Sequence, residues 1–241
     1  MILTPVHPQA EPAIDIYAAD ARDRITGLYG LPAADWLRIN LIASVNGSAA
    51  GSDGTSETLS SPADRLILKV IRALSDVVVV GASSVRAEGY FVPKDGVLAV
   101  VSRSGDFSRH HIRDTGSHGT LLILCPASSV AKAKSTIGLS GVTIVPVPDV
   151  NGSLSAAAIV TALHSQGFRS IVAEGGPALA THLVLGGVVD ELCLTTSPVL
   201  GGGALPLFGT RPFPEHPLTL TRLLIDEEGF TYARWGLRKP A

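Results

Sequence analysis

Apolar and polar positions alternate across Leu37-Arg-Ile-Asn and then fuse into Leu41-Ile-Ala43, the pattern of a strand that enters a core. Ser44-Val-Asn-Gly47 ends it. After the Gly/Ser-rich stretch from Asn46 to Ser61, Leu66, Ile67, Val70, Ile71 and Leu74 recur at helical spacing, with Ser61-Pro62 as the start signal. Asp76-Val-Val-Val-Val-Gly81 reads as a strand buried on both faces. Further strands are predicted at Val97 to Ser102, Leu121 to Cys125, Val142 to Val147 and Ser170 to Ala173. Helices are predicted at Ser128 to Thr136 and Ser153 to Gln166, the second capped by Asn151-Gly-Ser. Such alternation predicts an α/β fold with parallel strands joined by crossover helices. The last third changes character. Val189 to Pro198, Leu218 to Asp226 and Phe230 to Leu237 are strand candidates, the last two joined by a tight turn at Glu227-Glu-Gly229, so a C-terminal antiparallel hairpin is expected at one edge of a mixed sheet. Residues 1–35 read as a separate arm, irregular except for a short helix from Asp15 to Leu28, and residues 36–241 as the main domain.

Composition narrows the function classes. With 46% apolar and 17% charged residues and a net charge of −2, the chain is neither disordered nor a coat for nucleic acid. No apolar stretch reaches the roughly 18 residues of a membrane span, and residues 1–12 do not read as a secretory signal. A soluble cytoplasmic protein is expected. Cys125 and Cys193 sit in separate apolar runs and read as buried thiols. His110, His111 and His118, with Asp106 and Asp114, have the irregular spacing of a solvated loop, so no metal is expected.

In open parallel sheets ligands bind beyond the carboxyl ends of the strands. Three such ends carry glycine: Ser44-Val-Asn-Gly47, Gly81-Ala-Ser-Ser-Val-Arg-Ala-Glu88 and Glu174-Gly-Gly-Pro-Ala-Leu-Ala180. Together they suit a nucleotide-like ligand, although each alone is ordinary turn chemistry. Neither G-x-G-x-x-G nor the P-loop pattern occurs, which disfavours a Rossmann domain and P-loop ATPases, and no G-x-S-x-G elbow suggests a serine hydrolase. Glu174 follows an apolar strand directly, where a carboxylate either faces the ligand crevice or caps the next helix. Arg65 and Arg72 lie two turns apart on one helix face, either solvated or aimed at a common anion.

In order and spacing, Ala43-Ser-Val-Asn-Gly47, Ser61-Pro-Ala-Asp-Arg65, Ile71-Arg-Ala-Leu-Ser-Asp76, Val80-Gly-Ala-Ser-Ser-Val-Arg-Ala-Glu88, Val172-Ala-Glu-Gly-Gly-Pro177, Val189-Asp-Glu-Leu192 and Ser197-Pro-Val-Leu-Gly201 resemble the reductase family of riboflavin biosynthesis. That family is the C-terminal domain of the bifunctional deaminase-reductase RibD, and the resemblance runs from about Leu37 to Leu237. It implies a dihydrofolate reductase-like three-layer αβα sandwich, a mostly parallel mixed sheet, and a homodimer. It also implies an NADPH-dependent 5-amino-6-(5-phosphoribosylamino)uracil reductase delivering hydride to C1 of the ribosyl group. Under it, Ala43, Gly81, Ser83, Ser84, Glu88, Ser102, Gly175, Gly176, Pro177, Ala178 and Leu179 are cofactor-binding. Asn40, Ser56, Arg65, Arg72 and Glu174 are substrate-binding, with Glu174 and Asn46 as catalytic candidates.

Departures from the family pattern touch the substrate side. Asn40 stands where the family has Lys, and Asn46 where its S-L-D-G motif has Asp; Thr58 replaces an aromatic residue, and Glu88-Gly89-Tyr90 replaces D-D-P. Two alternatives therefore stay open: a dihydrofolate or pterin-type reductase, and a catalytically silent NADP(H)-binding paralogue. The partner expected is a small pyrimidine or pterin, with no nucleic acid and no membrane.

Overall fold

The unbroken run Val77 to Val80 has no polar face to turn to solvent, and the chain buries it in the interior of the eleven-stranded sheet that the described residues form. In the computed structural model, which describes residues 1–113, 119–201, 205–210, 212 and 214–237, the strands of this sheet are β1 (Ile2–His7), β2 (Ile14–Asp15), β3 (Trp36–Ser44), β4 (Val77–Gly81), β5 (Val97–Val101), β6 (Thr120–Cys125), β7 (Val142–Pro146), β8 (Ser170–Ala173), β9 (Glu191–Ser197), β10 (Leu218–Asp226) and β11 (Thr231–Leu237). Their spatial order is β2-β1-β10-β11-β9-β3-β8-β4-β5-β6-β7. From β9 to β7 all neighbours are parallel; the other four strands pair antiparallel.

Helices cover both faces. On one side α1 (Ala21–Tyr29), α2 (Pro62–Ala73) and α4 (Val130–Thr136) pack on Val78, Val80, Leu98, Val100 and Val172. On the other, α5 (Ala156–Ser165) and α6 (Pro177–Leu185) pack on Val77, Val79, Ala99, Ile171 and Ala173. Successive residues of one strand thus serve opposite layers, and the result is the expected three-layer αβα sandwich. A single-turn helix, α3 (Ser84–Ala87), follows β4. α2 starts as its sequence predicts: the Ser61 hydroxyl accepts the Asp64 N–H and Pro62 occupies the first turn.

The chain returns late to its centre. After β3 and α2 it lays down β4 to β7 outward, then comes back through α5 to insert β8 between β3 and β4. This switch brings the ends of β3, β8 and β4 side by side, where the glycine-marked turns were predicted. At the opposite edge, Asp76 accepts the Arg169 and Ser170 N–H groups at 2.8 and 2.9 Å and Asp190 accepts that of Leu37 at 2.8 Å, pinning the strand starts.

Four local expectations are corrected. Residues 2–15 are not an irregular arm: β1 pairs with β10 and β2 with β1. The helix expected from Asp15 begins only at Ala21. Asn151-Gly152 is no helix cap; both residues have positive φ (53° and 76°) and turn a small hairpin between Asp149–Val150 and Ser153–Leu154, while Ser155 caps α5 through the Ala158 N–H. The C-terminal hairpin is not at the sheet edge, because β1 covers β10, and β9 is flanked by β3 and β11, so neither offers an open strand to a second copy. A homodimer would have to use another surface.

Two arginines tie the N-terminal segment to the sheet. Glu191 accepts from Arg38 Nε at 2.6 Å and Arg234 Nε at 2.7 Å, all three side chains being buried. The same guanidiniums donate to the carbonyls that close α1: Arg38 to Tyr29, Arg234 to Leu28 and Gly30. They also face the Tyr29 ring, 6.0 and 5.3 Å from its centroid. Cys193 lies beside them; burial first, and then the Glu191 charge, push its thiol up to about 12. Cys125 and Cys193 are both free and buried. His110 is not simply solvated: Nε2 lies 2.8 Å from the Ile137 carbonyl and Nδ1 accepts the Ile112 N–H. Asp114 and His118 lie outside the described residues. Among the described residues no helix is long and apolar enough to cross a membrane, and no cluster could hold a metal ion.

Candidate active site

Because β3, β8, β4 and β5 are parallel and adjacent, their carboxyl ends form one row, and the turns that leave them are forced together. Glu174 follows β8 and donates its N–H to Val79 of β4 at 3.0 Å. Its carboxylate is neither free nor a helix cap. It accepts from Arg72 Nε at 2.7 Å and Nη2 at 2.5 Å, a two-point ion pair. Arg72 stands in the last turn of α2, and helical side chains lean toward the helix N-terminus, here the ligand edge of the sheet. The Glu174 side chain is 5% exposed and that of Arg72 is 42% exposed, so the carboxylate forms the floor and the guanidinium the wall. Burial alone would lower the Arg72 pKa; Glu174 overrides it and raises it.

Tyr90 completes this group. Its hydroxyl pKa is raised by burial first and then by the Glu174 and Glu88 carboxylates. Sequence reasoning passed over it as a departure from D-D-P; its place two residues after Glu88 was the available signal. Arg65 is separate. It pairs with Glu57 at 2.6 Å on the surface, so the two arginines of α2 each hold their own carboxylate and do not converge on one anion.

In the middle of β3, Asn40 lies opposite Cys193 and is half-buried, its amide without a partner among the described residues. The Asn46 carbonyl oxygen accepts from Ser44 Oγ at 3.0 Å and from the Gly201 N–H at 2.8 Å. Those are two acceptor bonds that an Asp there would also make, so Asn46 keeps the turn that joins β3 to the segment after β9 while leaving its NH₂ as a donor.

On the other flank two small-residue turns abut. A Cβ on Gly175 would stand 2.7 Å from Val80 Cα and 2.8 Å from the Gly81 nitrogen; one on Gly176, whose φ is +49°, would stand 2.7 Å from Ser84 Oγ. Only glycine lets the α6 turn lie this close to the Gly81–Ser84 turn. The Ser84 hydroxyl is buried with no hydrogen-bond partner, Ser83 is exposed, and Pro177 starts α6, whose Ala178 N–H has no acceptor among the described residues. Arg86 and Arg103, both exposed, follow these strand ends in the chain, one on α3 with its guanidinium donating to the Asp106 carbonyl at 3.4 Å and one just after β5. Free N–H groups, hydroxyls and two guanidiniums suit the pyrophosphate of a dinucleotide such as NADPH. The arginines were not among the candidates; each stands within two residues of a serine that was. Ala43 and Ser102 are buried at the same edge, the Ser102 hydroxyl accepting the Gly105 N–H, and Leu179 packs behind Gly81. Ser56 donates its N–H to Glu88 across the crevice at 2.8 Å.

The architecture has known counterparts. It is similar to a pyrimidine reductase-like protein from Corynebacterium diphtheriae (23% identity, 86% of this chain and 93% of that one, TM-score 0.66). It is also similar to riboflavin biosynthesis reductase Rib7 from Saccharomyces cerevisiae (15%, 88% and 94%, TM-score 0.59). A diaminohydroxyphosphoribosylaminopyrimidine deaminase/5-amino-6-(5-phosphoribosylamino)uracil reductase from Thermotoga maritima matches at 14% identity over 84% of this chain and 56% of its own, with a TM-score of 0.64. No curated protein matches in sequence. The profile of the RibD C-terminal domain, however, matches residues 35–232, from the first turn before β3 into β11. A match of that extent, on a sandwich whose switch point carries the motifs in their expected places, means that the chain belongs to the RibD C-terminal domain family and has its dihydrofolate reductase-like fold.

Proposed function

We propose that the protein is an NADPH-dependent reductase that delivers hydride to C1 of a ribosyl group attached to a pyrimidine, a reaction of the 5-amino-6-(5-phosphoribosylamino)uracil reductase type. The observation that carries this reading is adjacency along the chain: Glu174, paired with Arg72, is followed immediately by the Gly175-Gly176 turn. A polar group able to orient a substrate thus borders a turn able to hold a dinucleotide. When bound, NADPH supplies the hydride. Gly175, Gly176, Ser83, Ser84 and the first N–H groups of α6 hold its phosphates. Glu174 and Arg72 orient the polar part of the substrate, and the unspent amides of Asn40, within β3, and Asn46, just after it, offer neutral donors. Hydride arriving at C1 breaks the bond from C1 to the ring oxygen, which takes a proton from solvent and becomes a hydroxyl; the C1–N bond is kept and the ribosyl ring opens to a ribityl chain. Positioning of two bound reactants accounts for most of what the protein must contribute.

The test is NADPH titration by fluorescence, followed by NADPH oxidation assays with the aminouracil ribosyl phosphate and with dihydrofolate in parallel. Turnover of the first alone is the expected result. Turnover of dihydrofolate alone would establish the pterin-type alternative, and NADPH binding without either turnover the silent paralogue. Absence of NADPH binding at micromolar concentration would end all three readings.

A further inference from the structure

We propose that Glu88 is a positioning residue that straps the loop between β3 and α2 to the serine turn, and not a ligand of the cofactor as the family resemblance implies. The loop is internally knotted. Asp53 accepts from Thr55 N at 3.0 Å, Thr55 Oγ1 at 2.7 Å and Thr58 Oγ1 at 3.0 Å, and Gly51 donates to the Thr55 carbonyl at 2.7 Å, so residues 51–58 hold together as one unit. At its root the unit is anchored by the Ala49 N–H on the Leu205 carbonyl and by buried Leu59. Toward α2 its tie is the Glu57–Arg65 pair, in which both side chains are largely exposed and which is worth little.

Toward α3 the tie is different. Glu88 Oε1 accepts the Ser56 N–H at 2.8 Å from 32 residues away, and Glu88 is half-buried. Its own N–H donates to the Ser84 carbonyl at 2.8 Å. One residue therefore links Ser84, in the turn proposed to hold the phosphates, to Ser56, in the loop proposed to meet the substrate. A carboxylate spent on a backbone N–H is not presented to a polyanionic cofactor, beside which it would be repelled.

The inference on kinetics rests on the reductase reading above; the inference on the loop does not. With the full chain free of ligand, cleavage after exposed Glu57 by a Glu-specific protease is expected to be about tenfold or more faster in Glu88→Ala than in wild type, the scale of one charge-assisted hydrogen bond. Glu88→Gln, which keeps an acceptor oxygen, is expected to restore protection. Ser56→Pro removes the donor at a φ of −78° that the ring accepts, and is expected to reproduce the Glu88→Ala rate. In turnover assays Glu88→Ala is expected to raise the pyrimidine KM about tenfold, with the NADPH Kd within twofold of wild type. Unchanged cleavage in Glu88→Ala overturns the strap, and a weakened NADPH Kd, whatever the cleavage rate, overturns the exclusion of Glu88 from the cofactor site. Failure of wild type to bind NADPH would refute the reductase reading and leave the protease result to decide the strap.

Discussion

Adding a single methyl group at Gly175 tests how the two turns of the site depend on each other. The Cβ of Gly175→Ala would lie 2.7 Å from Val80 Cα, 2.8 Å from the Gly81 nitrogen and 2.9 Å from Val80 Cβ. Ordinary carbon contacts lie at about 3.5–4.0 Å, so the α6 turn must retreat from β4 by about 1 Å. The obstacles are backbone atoms of a central strand paired on both sides, which cannot rotate away. Overpacking of this kind costs about 1–3 kcal/mol, and for a chain of this size that lowers Tm by about 2–12 °C. The functional loss is expected to exceed the loss of stability, because a reactant misplaced by about 1 Å can lose about 100-fold in rate. Gly176→Ala provides the contrast. Its Cβ meets the Ser84 hydroxyl, a movable group, and the left-handed φ of +49° adds about 1–2 kcal/mol. Adding Ser84→Ala to Gly176→Ala is expected to recover the steric part and leave the backbone part, a coupling that a double-mutant cycle reads directly. Thermal melts and NADPH titration of the four variants decide the matter. A Gly175→Ala protein that melts and binds NADPH like wild type would show that the close approach is not what requires glycine there.

Two further outcomes are expected. Glu191→Gln leaves two buried guanidiniums without a counter-charge and is expected to cost about 3–5 kcal/mol in guanidinium chloride unfolding. Burial works to raise the Glu191 pKa, but Arg38 and Arg234 outweigh it and hold the carboxyl below its usual value. Its contribution is therefore complete above about pH 4.3 and is lost as the pH falls through the lowered native value, so the gap between wild type and Glu191→Gln should narrow in acid; a gap that widens would contradict the sign. Asn151→Ala, placed at a φ of 53°, is expected to destabilise by about 1 kcal/mol in urea, and Asn151→Gly to cost less.

Much of the framework was legible because its signals are local. The run Val77 to Val80, the Ser61-Pro62 start of α2 and the glycine-marked strand ends each follow from neighbours within a few residues, and the structure places the glycine turns along one row. What escaped is carried by distant partners. β1 contains Pro5 and ends before Pro8, poor signs of a strand in isolation, and becomes one only by pairing with β10. Arg72 and Glu174 stand 102 residues apart, so solvated, capping and anion-binding readings all stayed open until β8 was inserted beside β4. Asn151-Gly152 was misread for another reason: Asn-Gly suits both a cap and a two-residue hairpin, and Ser155 was there to take the cap. In the site, the acceptor role of Asn46 depends on Gly201, whose approach no spacing rule shows.

The covering of β10 by β1 also sets an order in time. Leu3 lies opposite Asp226, so the strand is made more than two hundred residues before the one it pairs with. At about 5–20 residues per second of synthesis, it waits on the order of ten seconds or more without its hydrogen-bonding partner. Meanwhile β3 to β9 can assemble around the switch point, since β1 touches none of them in the sheet. Closing the sheet is therefore expected to be the last step of folding, a contact of very long range that comes after the ligand edge has formed. Until then Leu3 and Ile14, fully buried at the end, are apolar surface for a chaperone to shield.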